Sequence, residues 1–177
     1  GHAFKSSHHL AELNERYADL EDGASTEDEV QVAGRVMAKR DQGKLAFLEL
    51  RDSSGDMQLF CRTTARGEEA FAELKDLDVG DWIGVRGTMM RTKRGQLSVA
   101  VASFELLSKS LRPLPEKFHG LADKETRYRQ RYVDLVMNPE VKQVFEKRFK
   151  IVAAIRRYME EQGFYEVETP FLHPILG

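Results

Sequence analysis

Two side chains that together could hold an unstacked nucleic-acid base, Phe47 and Gln58, lie on neighbouring runs of alternating apolar and polar residues. An aromatic ring offers a stacking surface to a base, and a side-chain amide offers a base edge both a hydrogen-bond donor and an acceptor. Cations that could hold phosphates flank these runs: Arg35, Arg40, Lys44 and Arg62. These residue types favour binding of single-stranded nucleic acid.

Five strand-like segments, separated by turn residues, must position these side chains. They cover residues 29–39, 45–51, 56–62, 81–91 and 96–107. Between the third and fourth, residues 65–77 carry Phe71, Leu74 and Leu77 on one side of a predicted helix. Three strands, a helix and two strands is the order of the OB-fold, a five-stranded Greek-key barrel that commonly binds oligonucleotides. A five-stranded barrel without a ligand would show the same pattern.

Strand alternation predicts which residues face the core. Ala46, Leu48 and Leu50 form one face of the second strand, and Phe47 lies on the other. The same alternation puts Gln58 on the outer face of the third strand, opposite or diagonal to Phe47 across a short turn. In the alternative interpretation, Phe47 packs under an N-terminal helix and Gln58 is a solvated strand residue.

The segments on either side of the barrel, residues 29–108, have helical patterns. Residues 1–28 form a predicted helical segment with Ser6 or Ser7 as the cap and apolar residues at helical spacing, namely Leu10, Leu13, Tyr17 and Leu20. Residues 109–137 are a predicted proline-marked linker followed by a helix capped by Asp123. In residues 138–177, a helix with Asn138 as its cap and Pro139 in its first position is predicted to end at Gly163, and a strand follows at residues 164–169.

Several kinds of chemistry have no candidate residues in the sequence. It has no glycine-rich phosphate loop, no paired carboxylates and no nucleophile motif, so we predict no catalytic residue in this chain. The single cysteine, Cys61, excludes an internal disulfide and a multi-cysteine metal site, which fits a reducing cytoplasm. His8 and His9 lack companions at ligand spacing and fit a solvated helix start better than a metal site.

Charge and hydropathy further limit the class of protein to which the chain can belong. The net charge is −2, and residues 1–29 alone carry −6, so the rest of the chain is mildly basic. Lys93 and Arg94, in the turn between the last two strands, could contact a nucleic-acid backbone or simply be solvated. No run approaches the roughly 18 apolar residues of a membrane-spanning helix, which predicts no membrane span.

Two stretches are specific enough to indicate a family. Residues 111–121, Leu-Arg-Pro-Leu-Pro-Glu-Lys-Phe-His-Gly-Leu, and residues 127–135, Arg-Tyr-Arg-Gln-Arg-Tyr-Val-Asp-Leu, resemble the linker and following helix of class II lysyl-tRNA synthetases. Residues 163–170, Gly-Phe-Tyr-Glu-Val-Glu-Thr-Pro, and the helix before them resemble the first motif of that class. The resemblance implies that this motif builds a homodimer interface that includes Phe164 and Pro170. Residues 138–177 would then be the truncated start of an α+β catalytic domain.

The resemblance also implies a role for the barrel, which reads the anticodon of lysine tRNA in this family. Arg40, Phe47 and Gln58 match the family's spacing, Gln96 stands where relatives usually carry glutamate, and Arg35 is a further expected contact. The intact enzyme would activate lysine with ATP and magnesium and charge tRNA(Lys). This chain lacks the second and third class motifs, so we expect it to be inactive alone, with no cofactor of its own. A non-catalytic OB-fold protein that binds single strands, or a barrel that serves as an interaction or dimerisation module, are the alternatives.

Overall fold

The computed structural model describes residues 4–62, 73–74, 76–115 and 123–172. The chain divides into two compact units, Gly1–Leu114 and Pro115–Gly177. Among its described residues, the first unit contains α1 (Leu10–Arg16), β1 (Ser25–Gln42), β2 (Leu45–Arg51), β3 (Asp56–Arg62), β4 (Trp82–Arg91) and β5 (Leu97–Ser108). The described part of the second unit contains α2 (Lys124–Arg129), α3 (Arg131–Met137) and α4 (Pro139–Glu161).

The five strands close into a barrel in the order β1-β2-β3-β5-β4, and β4 returns to β1. All neighbours are antiparallel except β3 and β5, which are parallel. This arrangement confirms the predicted five-stranded barrel and its strand order. Most of the predicted helix at residues 65–77 lies outside the described residues. Glu73 and Leu74 are helical, and Leu74 and Leu77 are buried in the core.

The barrel closes because its first strand is long enough to pair with two neighbours. The first half of β1 pairs with β4, and its second half pairs with β2. The register shifts between Val36 and Ala38, and a bulge of this kind bends a strand and increases its twist. At Gly34, a Cβ atom would lie 2.6 Å from the carbonyl oxygen of Arg51, so the two strands approach too closely there for any side chain.

The barrel interior follows the predicted alternation. Ala46, Leu48 and Leu50 of β2 are buried in the core, and Phe47 lies on the opposite face. Phe60 lies on the outer face opposite Phe47 and yet is only 8% exposed. The Phe47 ring and the Arg62 guanidinium both lie against the Phe60 ring.

The first helix is capped from a distant turn instead of from its own preceding residues. Neither Ser6 nor Ser7 caps α1, and its N-cap position, His9, makes no side-chain cap bond. The carboxylate of Asp52 accepts a hydrogen bond from the Leu10 backbone N–H at 2.9 Å, and the Ser54 hydroxyl accepts one from Ala11 at 3.0 Å. Both acceptors belong to the β2–β3 turn, so the prediction of a serine cap was wrong.

The second unit keeps most of its predicted boundaries. The Asp123 side chain accepts from the Thr126 N–H, which confirms this cap, although the predicted helix is interrupted at Gln130. Pro139 starts α4 as predicted, and Gly163, with a φ of 87°, follows the last turn. Asn138 precedes α4, but its side chain makes no cap hydrogen bond, so this predicted cap was wrong. Its Nδ2 donates to the Asp134 carboxylate at 2.6 Å.

The predicted strand at residues 164–169 is absent. This segment forms neither helix nor strand, and its residues are exposed. A β-strand needs a neighbouring strand to satisfy its backbone N–H and C=O groups, and none of the described residues pairs with this segment. Phe164, predicted as an interface residue, is 59% exposed, and Pro170 is also exposed.

Candidate nucleic-acid interface

A cleft of about 320 Å³ lies on the outer face of the barrel, where β1, β2 and β3 run side by side and β5 begins. Its lining includes four of the five predicted nucleic-acid contacts: Arg40, Phe47, Gln58 and Gln96. The other lining residues are Ala38, Leu48, Glu49, Asp56 and Met57. The fold therefore brings together side chains from four strands or their ends that are far apart in the sequence.

Phe47 lies in the middle of this cleft. It is directly opposite Arg40 of β1 on one side and Phe60 of β3 on the other. The Phe47 and Phe60 ring centroids are 5.3 Å apart with the planes tilted by 44°, a spacing typical of favourable aromatic pairs. Phe47 is half-buried and does not belong to the core cluster that Leu10 and Leu13 of α1 join. The alternative in which Phe47 packs under α1 is therefore not what the structure shows.

Gln58 lies diagonal to Phe47, because the residue directly opposite Gln58 on β2 is Glu49. Its side-chain Nε2 donates to the Ser98 hydroxyl at 2.9 Å, and that hydroxyl lies 3.2 Å from the Gln96 backbone oxygen. Ser98 is fully buried and was not singled out from the sequence. Only the parallel pairing of β3 with β5 places Ser98 beside Gln58, so no local sequence signal could have found it.

The cleft wall carries both an arginine and carboxylates. Arg40 is exposed, whereas Glu49 and Asp56 line the cleft near Gln58. Arg51 binds Asp56 through two hydrogen bonds, Nε–Oδ1 at 2.5 Å and Nη2–Oδ2 at 2.8 Å, and these bonds raise its pKa. The Arg51 guanidinium is also 3.9 Å from Glu49. Carboxylates accept hydrogen bonds and repel phosphates, so this end of the cleft suits the N–H groups of a base.

Arg35 does not line the cleft. It lies on β1 before the bulge, where its Nη1 donates to the Gly80 backbone oxygen at 2.8 Å and its guanidinium lies 5.2 Å from the centre of the Trp82 ring. Desolvation by burial lowers its pKa. The structure thus gives Arg35 contacts on the β1–β4 side of the barrel, outside the cleft, and its role as a nucleic-acid contact stays a prediction.

The β4–β5 turn that carries Gln96 is held against the end of α1 by Arg91. Its guanidinium donates to four backbone oxygens, those of Tyr17, Ala18, Leu20 and Gly95, at 2.5–3.0 Å. Thr92 closes the turn, because its hydroxyl accepts from the Gln96 N–H at 3.0 Å and its own N–H donates to the Gln96 oxygen at 2.9 Å. Lys93 and Arg94 are exposed at the tip of this turn.

Other predicted features give no second site. His9 lies 3.6 Å from Asp52, and the Ser7 hydroxyl lies 2.7 Å from the His8 ring. Among the described residues, no group of three or more His, Cys, Asp or Glu side chains could hold a metal ion. In the same part of the chain, no helix is long and apolar enough to cross a membrane.

Comparisons with known proteins agree with the barrel fold. Residues 30–107 match the family model of the OB-fold nucleic acid binding domain, and residues 123–177 match that of the tRNA synthetases class II (D, K and N). A lysine–tRNA ligase of Thermosynechococcus vestitus is 53% identical over 98% of this chain and 35% of its own length. One from Clostridium perfringens is 50% identical over 97% of this chain and 33% of its own length.

The chain thus spans about a third of the length of the curated relatives that it matches. A third relative, the lysine–tRNA ligase of a Synechococcus species, is 51% identical over 96% of this chain and 34% of its own length. The resemblance to class II lysyl-tRNA synthetases stated from the sequence is confirmed.

Proposed function

We propose that this chain is the anticodon-binding part of a lysine–tRNA ligase, because residues 30–107 match the OB-fold nucleic acid binding domain and residues 123–177 match the class II tRNA synthetases. The observation that carries the proposal is the cleft in which Arg40, Phe47, Gln58 and Gln96 meet. These residues were selected from their types, alternation and family spacing, and the fold places them on one surface.

Each cleft residue has a role that follows from its chemistry. The Phe47 ring, held by Phe60, stacks on an unstacked base, and Gln58 and Gln96 hydrogen-bond to base edges. The exposed Arg40 holds the backbone phosphate. Glutamine at position 96 can donate as well as accept, so it reads a base edge less strictly than the glutamate that relatives usually carry there.

The proposal extends to the whole protein. The intact enzyme activates lysine with ATP and magnesium, transfers it to tRNA(Lys) and works as a homodimer in the cytoplasm. We assign ATP, magnesium and lysine binding to the part of the relatives' length that this chain does not span, so this chain's own contribution is recognition of the anticodon. Phe164 and Pro170 are proposed as dimer contacts, and their exposure supports this.

Titration with RNA stem-loops tests the proposal. We expect the chain to bind a stem-loop with a U-rich anticodon, complementary to the lysine codons, at least tenfold more tightly than the same stem with other loop sequences. Equal binding of every loop and of unstructured single strands would indicate a general single-strand binder. No binding at all would indicate an interaction module.

A further inference from the structure

Ser98 is a fully buried polar residue at the edge of the cleft. It lies on β5, paired with Gln58 in the parallel β3–β5 ladder. Buried hydroxyl groups in proteins are almost always hydrogen-bonded, because an unpaired one costs free energy. The partners of Ser98 therefore determine how the neighbouring side chains are oriented.

The hydroxyl of Ser98 has one proton to give, and two groups among the described residues lie within hydrogen-bond distance of it. In the structure this proton goes to the Gln96 backbone oxygen, 3.2 Å away, which can only accept. Ser98 Oγ accepts in turn from Nε2 of Gln58, 2.9 Å away. The Gln58 group that faces Ser98 is consequently the NH₂, and its carbonyl oxygen, Oε1, points away from Ser98 on the side chain that lines the cleft. Oε1 has no hydrogen-bond partner within the described parts of the chain.

We propose that Ser98 is a positioning residue that holds the Gln58 amide with its oxygen toward the cleft, so that the cleft selects uracil over cytosine. This inference rests on the anticodon recognition proposed above. The N3 position of uracil carries a proton and can donate to Oε1, whereas N3 of cytosine is an acceptor and meets Oε1 with its lone pair. An amide rotated by 180° would offer its NH₂ to cytosine instead. Ser98 disfavours this rotation, because Oε1 could then bond to Ser98 only by taking the hydroxyl proton from the Gln96 oxygen.

The test uses stem-loops in which each uridine of a U-rich anticodon is replaced singly by cytidine or by N3-methyluridine, which lacks the N3 proton. We expect the parent chain to prefer uridine over both replacements by at least tenfold at one position. The Ser98→Ala variant should lose about tenfold of the preference over cytidine, because its Gln58 amide can turn. Ser98→Thr, which keeps the hydroxyl, should retain the preference.

Three further comparisons separate an effect on amide orientation from general damage to the fold. Ser103→Ala removes a serine hydroxyl from the same strand outside the cleft and should leave the preference unchanged. In a Gln58→Ala background, Ser98→Ala should change the preference no further. Gln58→Glu keeps an acceptor facing the cleft and should still prefer uridine, even if the Ser98 variants fold poorly.

The outcomes distinguish this inference from the function on which it rests. A folded Ser98→Ala protein with the full preference for uridine would overturn the role of Ser98 alone, and so would equal weakening for uridine and cytidine. Loss of the uridine preference in Gln58→Glu would show that the amide NH₂ faces the base, contrary to the proposal. A parent chain that binds none of the stem-loops would overturn the proposed function and this inference together.

Discussion

At the scale of single residues, Phe47 has two features that a base-stacking platform needs, a neighbouring ring that supports it and an open side. Phe60 lies 5.3 Å from it across the strand pair and limits its rotation, and the cleft borders it on the outer face. A ring that is already fixed loses little conformational entropy when a base stacks on it. Phe60 is itself covered by Arg62, so the aromatic pair is part of the outer wall and not of the core.

Replacing Phe47 with alanine should weaken binding of the U-rich stem-loop by about 1–3 kcal/mol, because it removes the stacking surface without changing the charge. The measurement is a fluorescence titration after circular dichroism has confirmed the fold. Phe149→Ala, the same substitution at an exposed position of α4, is the matched control. If the folded Phe47→Ala protein bound as tightly as the parent, Phe47 would not be the stacking platform.

Replacing Arg40 with alanine should weaken binding to all loop sequences by a similar factor. A phosphate contact releases counterions, so its loss should reduce the slope of log K against log salt by about 0.7 for a single strand. Titrations at several salt concentrations measure this slope, with Arg148→Ala on α4 as the control for loss of an exposed cation. A changed loop preference with an unchanged slope would show instead that Arg40 reads a base.

At the scale of elements, α1 and the strand turns hold one another in place. The β2–β3 turn caps the N-terminus of α1 through Asp52 and Ser54, and Arg91 binds the carbonyls at its other end. A helix of only seven residues has little stability of its own in water. Its fold therefore depends on the barrel, and in return it fixes the β4–β5 turn that presents Gln96.

Arg91→Ala should destabilise the first unit by at least about 2 kcal/mol, because it removes several charge-assisted hydrogen bonds to backbone oxygens that remain partly buried. It should also weaken stem-loop binding by releasing Gln96. Urea unfolding followed by tryptophan fluorescence measures the first effect. Arg94→Ala, an exposed arginine in the same turn, should leave stability nearly unchanged; equal effects of the two variants would contradict a special role for Arg91.

The second unit depends on Asp134, a fully buried carboxylate at the junction of α2, α3 and α4. Burial alone would raise its pKa, but hydrogen bonds from Asn138 at 2.6 Å and Arg127 at 2.9 Å, with Arg131 as a further partner, hold the pKa below its usual value. A carboxylate whose pKa is depressed by folding stabilises the protein above its unfolded pKa of about 3.9 and loses this effect as the pH falls through the folded pKa.

We therefore expect the helical signal of the second unit to weaken on acidification below about pH 4. Asp134→Asn should destabilise this unit by about 1–3 kcal/mol near pH 7 and make its stability less dependent on acid pH. Thermal unfolding of residues 123–177, or of the whole chain monitored by circular dichroism at a series of pH values, tests this. An unchanged acid transition in the variant would show that other carboxylates control it.

At the scale of the whole molecule, α4 carries more exposed apolar surface than a free helix in water normally does. Phe149, Ile151 and Ile155 are each 58–64% exposed, and Val144 and Met159 add to the same helix. We expect this chain to self-associate through α4, in line with the proposed homodimer. Sedimentation velocity should show a rising mean mass with concentration.

Ile155→Lys should shift that equilibrium toward the monomer, because a charged side chain would be buried without a partner in the interface. Arg148→Glu, a charge change at an exposed polar position of the same helix, is the control. A parent chain that remains a monomer at high concentration would contradict the proposed role of α4.

The sequence by itself determined the features that depend on local interactions. Side-chain alternation and turn residues gave the β2 and β3 boundaries and the face on which Phe47 and Gln58 lie. Asp123 and Pro139 marked helix starts because capping and the proline ring act within one turn. The family spacing added Arg40 and Gln96, and the barrel brought all four into one cleft.

The tertiary structure decided what depends on residues far apart in the chain. Strand pairing places Ser98 beside Gln58. Packing between elements brings Asp52 to the N-terminus of α1 and brings Arg35 into contact with Gly80 and Trp82. The segment at residues 164–169 has the composition of a strand and is not one, because no strand among the described residues pairs with it. The strand propensity of a segment depends on its own residues, whereas its backbone hydrogen bonds and its burial depend on neighbours that only the fold supplies.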